Sequence, residues 1–489
     1  MALLMGIDIG TSGTKVMLVD PDKGVLETEK EDYGILIPKT GYAEQDPQVW
    51  WLAVMKCIKK LSYHFSLEDI SGIGVTGQMH GMVLTDWNGT LLRPAILWMD
   101  QRSEKECEEL KKMIPDDMLQ ASIRNQIFPG FTLPSLLWVK NNEPEIFGKI
   151  NRVLQPKDYI RWKLTGLFGC EKTDASATLL FDIVKRDWLW TLIDLCGFPR
   201  SIFPCCRESG EIQGKVSMDC AEATGLPATA EVIYGMGDEQ AQSIGNGVLE
   251  EGTFICNIGT GGQISSFSEQ PVYDTELRTQ TFCHGTGNAY SVYGAVLNAG
   301  MSLSWLKNQI IGAKDFDSMS RMAEQVPAGS DGLYFLPYLT GERTPHMDPC
   351  ARGMFFGLKL SHTKSSLVRA VMEGVGFALK DCMALLQNMG LPCGSIISSG
   401  GGATSPVWLQ IQSDILNREI RVCSVQEQAC MGVCMLAGVS TGIFHDLQEA
   451  KKKLLHYEDK IYIPQPQNVD RYRKMYDIYR ALYEQTKDV

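Results

Sequence analysis

Two stretches that read almost alike decide the fold: Ile7-Asp8-Ile9-Gly10-Thr11-Ser12-Gly13 and Cys256-Asn257-Ile258-Gly259-Thr260-Gly261-Gly262. They lie about half a chain apart in a sequence of 489 residues. Each reads as a strand that enters a glycine- and threonine-rich turn and leaves it as a second strand. A single hairpin of this kind is a common turn, but its repetition predicts a duplicated chain with two lobes.

The two hairpins also indicate a class of ligand. Glycine leaves backbone N–H groups open to an anion, and Thr or Ser hydroxyls add further donors, so facing hairpins predict a clamp for a nucleotide triphosphate. The first hairpin follows a carboxylate, Asp8, where the second follows Asn257. A magnesium ion with its water shell is therefore expected near Asp8.

The composition is that of a large globular enzyme. A hydrophobic content of 44% with 21% charged residues excludes a disordered chain, and the net charge of −12 disfavours nucleic acid or an anionic membrane as a partner. The chain shows no leader pattern and no stretch near about 18 apolar residues, which predicts a cytoplasmic protein. The 15 cysteines lack paired C-x-x-C spacing and are interpreted as reduced core thiols.

The hydrophobic pattern predicts mixed α/β structure. Three strands are expected over residues 5–36 and another over 71–76, and residues 103–200 are expected to be mostly helical. Helices are further predicted at 47–61, 366–386 and 469–487. The G-x-G-x-x-G match at 72–77 falls inside a predicted strand, which is the wrong context for a dinucleotide site.

The loop Gly77-Gln78-Met79-His80-Gly81 is a candidate binding site for a polyhydroxylated molecule. Its amide and imidazole each donate and accept hydrogen bonds, as sugar hydroxyls do, while the thioether can cover a carbon face. The alternative is a histidine satisfied by local hydrogen bonds.

Two further turns each have a structural and a functional interpretation. Asp238 opens a predicted helix, either as its N-cap or as the base that accepts the proton of a sugar hydroxyl as a γ-phosphoryl group arrives. The run Ser399-Gly400-Gly401-Gly402-Ala403 is either a tight turn or a surface that lets adenosine approach the backbone closely.

Taken in order, these motifs resemble the FGGY family of carbohydrate kinases, part of the actin-like ATPase superfamily, over essentially the whole chain. The resemblance implies an α/β fold of two actin-like ATPase (ribonuclease H-like) domains with a cleft between them. Residues 1–248 would bind sugar and carry the catalytic base, and residues 249–489 would bind the nucleotide.

Within the family, further motifs are similar to those of kinases that act on D-xylulose, among them Ala43-Glu44-Gln45-Asp46-Pro47 and Gly341-Glu342-Arg343-Thr344-Pro345-His346. This likeness implies transfer of phosphate from ATP, with Mg²⁺, to the 5-hydroxyl of D-xylulose. The implied site residues are the base Asp238; the sugar-binding residues Gln78, Met79 and His80; Asp8 near Mg²⁺ and the acceptor hydroxyl; Gly10, Thr11 and Ser12 in the first phosphate hairpin; Gly259 and Thr260 in the second; Gly401 and Gly402 beside adenosine; and Arg102 on sugar or phosphate.

Three positions depart from the family pattern. Ser135 stands where Lys is usual, Ser366 where His or an acidic residue is usual, and Glu239 where many of these kinases have an Asn that touches the sugar. Glu239 therefore leaves open another ketose or polyol, such as ribulose, sedoheptulose or erythritol. A nucleotide-gated binding protein like the actin-like chaperone ATPases is a further alternative, disfavoured by the sugar loop and Asp238. The sequence permits a homodimer without establishing one.

Overall fold

Two mixed β-sheets form the framework of the structure, a computed structural model that describes residues 2–488. In the first sheet, Leu3–Ile9 pairs antiparallel with Gly13–Asp20 and parallel with Ile70–Gly77. In spatial order the sheet contains Ile212–Lys215, Glu231–Ile233, Ile70–Gly77, Leu3–Ile9, Gly13–Asp20 and Gly24–Asp32, with Met236–Gly237 also paired to Ile70–Gly77.

The second sheet repeats this plan. Gly252–Ile258 pairs antiparallel with Gly262–Ser268 and parallel with Cys393–Ser399. Its spatial order is Gln280–Cys283, Tyr290–Val296, Gly262–Ser268, Gly252–Ile258, Cys393–Ser399 and Glu419–Val422.

Strand register confirms the duplication predicted from the two hairpins. Asp8 lies opposite Lys15 on the antiparallel side of its strand and opposite Thr76 on the parallel side. Asn257 occupies the equivalent place in the second sheet, between Gln263 and Ser399. Each hairpin therefore emerges at the same end of its sheet, beside the end of a parallel strand.

The remaining elements lie around these sheets. The helices of the first half are Pro47–Ser62, Glu104–Met113, Asp116–Met118, Thr132–Asn142, Pro144–Phe147, Pro156–Thr165, Lys172–Ser176, Trp190–Leu195, Met218–Thr224 and Asp238–Gly245. Those of the second half are Gly300–Trp305, Phe316–Glu324, Lys364–Asn388, Pro406–Leu416, Gln428–Ser440, Leu447–Leu454 and Pro466–Thr486. Single turns of π or 3₁₀ helix occur at Leu119–Ile123, Arg200–Ile202, Leu306–Ile311, Ser330–Gly332 and Gly401–Thr404. Short strand pairs are Glu44–Gln45 with Ala95–Ile96, Val83–Thr85 with Arg152–Leu154, Cys170–Glu171 with Cys206–Arg207, Phe181–Asp182 with Asp187–Trp188, and Tyr334–Leu336 with Met354–Phe356.

The predicted helices are present, with ends set by their caps. The helix predicted at 366–386 spans Lys364–Asn388, because the backbone N–H of Thr363 donates to the Ser366 hydroxyl (3.2 Å) in a capping box. Ser366, which departs from the family pattern, thus stabilises a helix start. The buried face of Pro466–Thr486 contains Tyr472 and Tyr479, which confirms the aromatic stripe as core.

Two helices cross between the sheets, Asp238–Gly245 from the first half of the chain and Gln428–Ser440 from the second. A Cβ added to Gly432 would lie 2.0 Å from the backbone oxygen of Ala241, so the glycine is required for this close approach.

The helix Gln428–Ser440 also covers the first sheet. A Cβ added to Gly74, in the strand Ile70–Gly77, would lie 2.4 Å from the backbone oxygen of Val433. The second half of the chain therefore supplies part of the core beneath the first sheet. Within residues 2–488, none of the helices is long and apolar enough to cross a membrane.

Candidate active site

The predicted base is the first residue of its helix rather than its cap. Gly237 occupies the N-cap position of the helix Asp238–Gly245, so the interpretation of Asp238 as N-cap is wrong. The Asp238 side chain is half-buried. Burial, together with the nearby carboxylates of Asp8, Asp174 and Glu239, raises the pKa of Asp238 well above its usual range. A carboxylate in such surroundings binds a proton readily.

Asp8 lies near Asp238 at the end of the strand Leu3–Ile9. Its Oδ1 is buried and has no hydrogen-bond partner in the described range 2–488. Burial raises the pKa of Asp8 to about 6, although the charge of Lys15 opposes that rise. An orphaned carboxylate oxygen beside a second acid suits a hard cation, which would relieve their repulsion. Over the same range, however, no group of three or more His, Cys, Asp or Glu side chains forms a metal-binding cluster.

In the first hairpin, the backbone N–H groups of Thr11 and Ser12 are free, whereas the Thr11 hydroxyl is occupied and the N–H of Gly10 donates to the Gly13 carbonyl (3.0 Å). Thr11 Oγ1 accepts from Trp98 Nε1 (3.0 Å) and donates to Gln78 Oε1 (2.9 Å). The backbone N–H groups of Thr11 and Ser12 donate to no acceptor among residues 2–488. The hairpin therefore offers an anion its backbone N–H groups, while the Thr11 side chain stabilises the turn.

In the predicted sugar loop, the Gln78 side chain is occupied by hydrogen bonds within the protein, whereas one ring nitrogen of His80 is left for a ligand. The amide of Gln78 accepts from Thr11 and donates to Gln45 Oε1 (3.1 Å), so its contact with sugar stays a prediction. The half-buried His80 makes a 2.9 Å hydrogen bond from Nδ1 to the Ala177 carbonyl. Burial lowers the pKa of His80 to about 4, so the ring is neutral, with Nδ1 as donor and Nε2 as acceptor.

The loop lies directly beside the base. A Cβ added to Gly237 would be 2.8 Å from Cγ of Met79, so the thioether side chain packs against the residue that precedes Asp238. The structure thus brings Met79 and Asp238 together, as the sequence analysis expects for a sugar site.

All four nucleotide residues predicted in the second half line one cavity of about 420 Å³: Gly259, Thr260, Gly401 and Gly402. A Cβ on Gly402 would lie 2.6 Å from that of Ile258, so this glycine lets the turn approach the second hairpin closely. Three more lining residues adjoin the motifs: Ile258, Thr404 and Ser405. The others were missed because they come from helices with no local motif: Gly300, Met301, Leu303, Ser304, Phe316, Asp317, Ser320, Met372 and Trp408.

A buried charge cluster holds the start of the Asp238 helix and was also missed. The N–H of Gly237 donates to Thr173 Oγ1 (2.8 Å), which in turn donates to Glu171 Oε1 (2.7 Å). Lys157, fully buried, lies 3.1 Å from Glu171 and 2.8 Å from Asp174. The adjacent opposite charges of residues 157 and 158 do not reveal from sequence that they are buried.

Neither Glu239 nor Arg102 has the surroundings expected of a residue that binds sugar. Glu239 is 6% exposed, and its carboxyl faces the Ser265 and Ser291 hydroxyls of the second sheet. Burial raises the pKa of Glu239 to about 7, which those hydroxyls oppose. The Arg102 guanidinium is occupied by Asp100 and Glu44, with Nη2 2.8 Å and 2.7 Å from their oxygens. Contacts of both residues with sugar stay predictions.

The third departure, Ser135, is buried with no hydrogen-bond partner for its hydroxyl within the described part of the chain. Nothing in the structure explains this substitution.

Comparison with known proteins gives matches along nearly the whole chain. Residues 3–245 match the N-terminal domain of the FGGY family of carbohydrate kinases, and residues 254–441 match its C-terminal domain. The chain is 35% identical over 491 residues to the xylulose kinase of Bacillus subtilis, covering 100% of this chain and 98% of that protein. It is 30% identical over 451 residues to a Bacillus subtilis gluconokinase, covering 90% and 88%.

A solved structure agrees with these matches. The ligand-bound xylulose kinase from Lactobacillus acidophilus superposes with a TM-score of 0.94 at 26% identity, covering 99% of this chain and 98% of that chain. The duplicated sheets and the cavity at the second hairpin thus define a two-lobed sugar kinase of the actin-like ATPase type. More narrowly, the chain belongs to the FGGY family of carbohydrate kinases, whose two domains match most of its length. ATP and a sugar are accordingly its substrates.

Proposed function

We propose that this enzyme transfers the γ-phosphoryl group of ATP to the 5-hydroxyl of D-xylulose. Similarity over the full chain to a protein named xylulose kinase supports the choice of sugar. The observation that carries the chemistry is the position of Asp238, which is basic, half-buried and next to the sugar loop.

In this proposal each residue has one task. Asp238 accepts the proton of the 5-hydroxyl as its oxygen bonds to phosphorus. Met79 covers a carbon face of the sugar, and Nε2 of His80 accepts from a sugar hydroxyl, because Nδ1 is held by Ala177. The free N–H groups of the first hairpin bind phosphate oxygens, and Gly259, Thr260, Gly401 and Gly402 surround the remainder of the nucleotide.

Mg²⁺ belongs to the same proposal, with Asp8 as the residue that would hold it. The unpartnered Oδ1 of Asp8 supports this assignment. A bound ion would neutralise charge on the phosphate oxygens. We also retain as proposals the division into residues 1–248 and 249–489, and a homodimeric assembly.

The test is ADP release with Mg-ATP across D-xylulose, D- and L-ribulose, L-xylulose, sedoheptulose, erythritol, glycerol, D-gluconate and no sugar. We expect the highest kcat/KM on D-xylulose. Turnover that does not depend on any sugar would overturn the proposal in favour of a nucleotide-gated binding protein.

A second candidate substrate is D-gluconate. The 30% identity to a gluconokinase favours its inclusion. Higher kcat/KM on gluconate, or on another ketose or polyol, would keep the fold and the base and replace D-xylulose as the substrate.

A further inference from the structure

Arg343 is a cation whose donors the protein itself does not use. Its guanidinium forms no ion pair with any carboxylate among residues 2–488, and no hydrogen bond from its side chain is present over that range. Two buried arginines elsewhere are engaged by the protein: Arg161 donates to Gln213 Oε1 (2.8 Å), and Arg369 donates to Glu373 Oε1 (2.8 Å). Arg343 is only partly buried, so these unused donors stay open to a ligand.

The backbone around Arg343 is held firmly on both sides. The N–H of Arg343 donates to Glu342 Oε1 (2.7 Å), which also accepts from the N–H of Leu297 (2.8 Å). The N–H of Thr344 donates to the Ala295 carbonyl (3.0 Å). These contacts tie the segment to the second sheet, so the direction of the Arg343 side chain is set by the fold.

The side chain lies on an aromatic wall that lines the sugar side of the site. The wall consists of Phe128, Phe131, Phe282 and Tyr293. Arg343 Cζ is 5.5 Å from the Phe128 ring centroid, and the Phe128 and Phe131 centroids are 6.2 Å apart. The His80 ring is 4.0 Å from Phe131 and 5.7 Å from Phe282. Arg343 and His80 therefore share one wall, although they come from opposite halves of the chain.

The charge of Arg343 acts on two residues at this wall, His80 and Tyr293. Burial lowers the pKa of His80, and the charge of Arg343 adds to that effect. Burial raises the pKa of Tyr293, and Arg343 opposes that rise. The charges that act most on Asp238 are instead Asp8, Asp174 and Glu239.

We propose that Arg343 is a further sugar-binding residue, whose guanidinium donates to the O1 hydroxyl and O2 carbonyl oxygens of the ketose, the end remote from the hydroxyl at Asp238. Two neighbouring oxygens match the forked donors of arginine. The contact joins a residue of the second half to a sugar that Met79 and His80 hold from the first, so binding of sugar draws the two halves together. This inference rests on D-xylulose as the substrate.

The test compares Arg343→Met and Arg343→Lys with wild type on D-xylulose and on 1-deoxy-D-xylulose, which lacks O1. Arg343→Met should raise KM for D-xylulose about 10- to 100-fold, since hydrogen bonds to a charged group are lost, and leave kcat within about threefold. KM for ATP should not change. Arg343→Lys keeps the charge but loses the paired guanidinium donors, so it should raise KM for D-xylulose less than Arg343→Met does. The increase in KM caused by Arg343→Met should be at least about threefold smaller for 1-deoxy-D-xylulose than for D-xylulose.

Arg352→Met is the matched control, because Arg352 belongs to the same segment but is exposed. It should leave both KM values unchanged. An unchanged KM in Arg343→Met, an equal rise on both sugars, or a fall in kcat alone, as expected for an arginine on the phosphoryl group, would each overturn the inference. If Arg343→Met does not fold, binding of D-xylulose to Arg343→Lys without ATP, measured by calorimetry, serves as the test. Binding as tight as that of wild type would contradict the inference.

Failure of the proposed function is separately visible. Wild-type enzyme that does not turn over D-xylulose refutes the substrate, and the inference with it. If wild type turns over D-xylulose and Arg343→Met leaves KM for D-xylulose unchanged, the inference is refuted and the proposed function is not.

Discussion

At the scale of single residues, Asp238 is the proposed base. Asp238→Ala should lower kcat at least about 100-fold, the usual contribution of a general base, while ATP binding persists because the nucleotide cavity is formed by the second half. ADP release and calorimetric ATP binding measure the two effects. Asp116→Asn, at the exposed start of another helix, is the control and should leave both unchanged. A variant that retained more than about a hundredth of wild-type turnover would show that Asp238 is not the base.

Glu239 should make stability depend on pH. Its folded pKa of about 7 lies above the ordinary value of 4.5, so its contribution to stability is complete below pH ~4.5 and is lost as pH rises through 7. Glu239→Gln removes the titration. We therefore expect the variant to melt at nearly the wild-type temperature at pH 5 and several degrees above it at pH 8, from a gain on the order of 2 kcal/mol.

Thermal unfolding at the two pH values measures this difference, with the exposed Glu222→Gln as control. If the gap between Glu239→Gln and wild type were equal at pH 5 and pH 8, the carboxyl would not be the group that titrates.

Where a local motif is present, the sequence predicted which residues lie together. The residues Gly259, Thr260, Gly401 and Gly402 do line one cavity, because glycine-rich turns at strand ends converge on one edge of a sheet. The sequence could not show that Arg102 is engaged by Asp100 and Glu44, since burial and partners depend on packing between distant segments.

At the scale of elements, the cluster around Lys157 holds the start of the helix that contains the proposed base. Lys157→Met would leave Glu171 and Asp174 buried without their cation, while Asp158 would keep Arg161 (3.0 Å), and should destabilise the protein by about 3–5 kcal/mol. Urea unfolding followed by tryptophan fluorescence measures the loss. Lys163→Met, on the same helix but partly exposed, should cost under about 1 kcal/mol. Equal losses in the two variants would contradict the role assigned to the cluster.

The strands and long helices were predictable because their hydrophobic periodicity is local. The hairpins at residues 10 and 259 and the aromatic helix Pro466–Thr486 are examples. The place of the helix Gln428–Ser440 was not predictable, because an apolar helix shows that it is buried but not which sheet it covers.

At the scale of the whole molecule, the crossing of two helices couples the halves. Gly432→Ala would place a methyl group 2.0 Å from the Ala241 oxygen and force the helices apart, at a cost of about 1–3 kcal/mol. We expect a lower melting temperature and a higher KM for sugar, since Asp238 lies on one of the helices. Gly148→Ala, whose Cβ would meet its nearest atom at 3.5 Å, is the control. An unchanged melting temperature in Gly432→Ala would show that the contact can relax without cost.

The position of the helix Gln428–Ser440 also affects how the chain folds during synthesis. The strands Leu3–Ile9 and Ile70–Gly77 leave the ribosome long before the helix that covers them. At about 5–20 residues per second, this apolar face waits on the order of tens of seconds for its cover. The nascent chain is therefore exposed to aggregation during that interval, and the first lobe can complete its folding only after the helix Gln428–Ser440 has been synthesised.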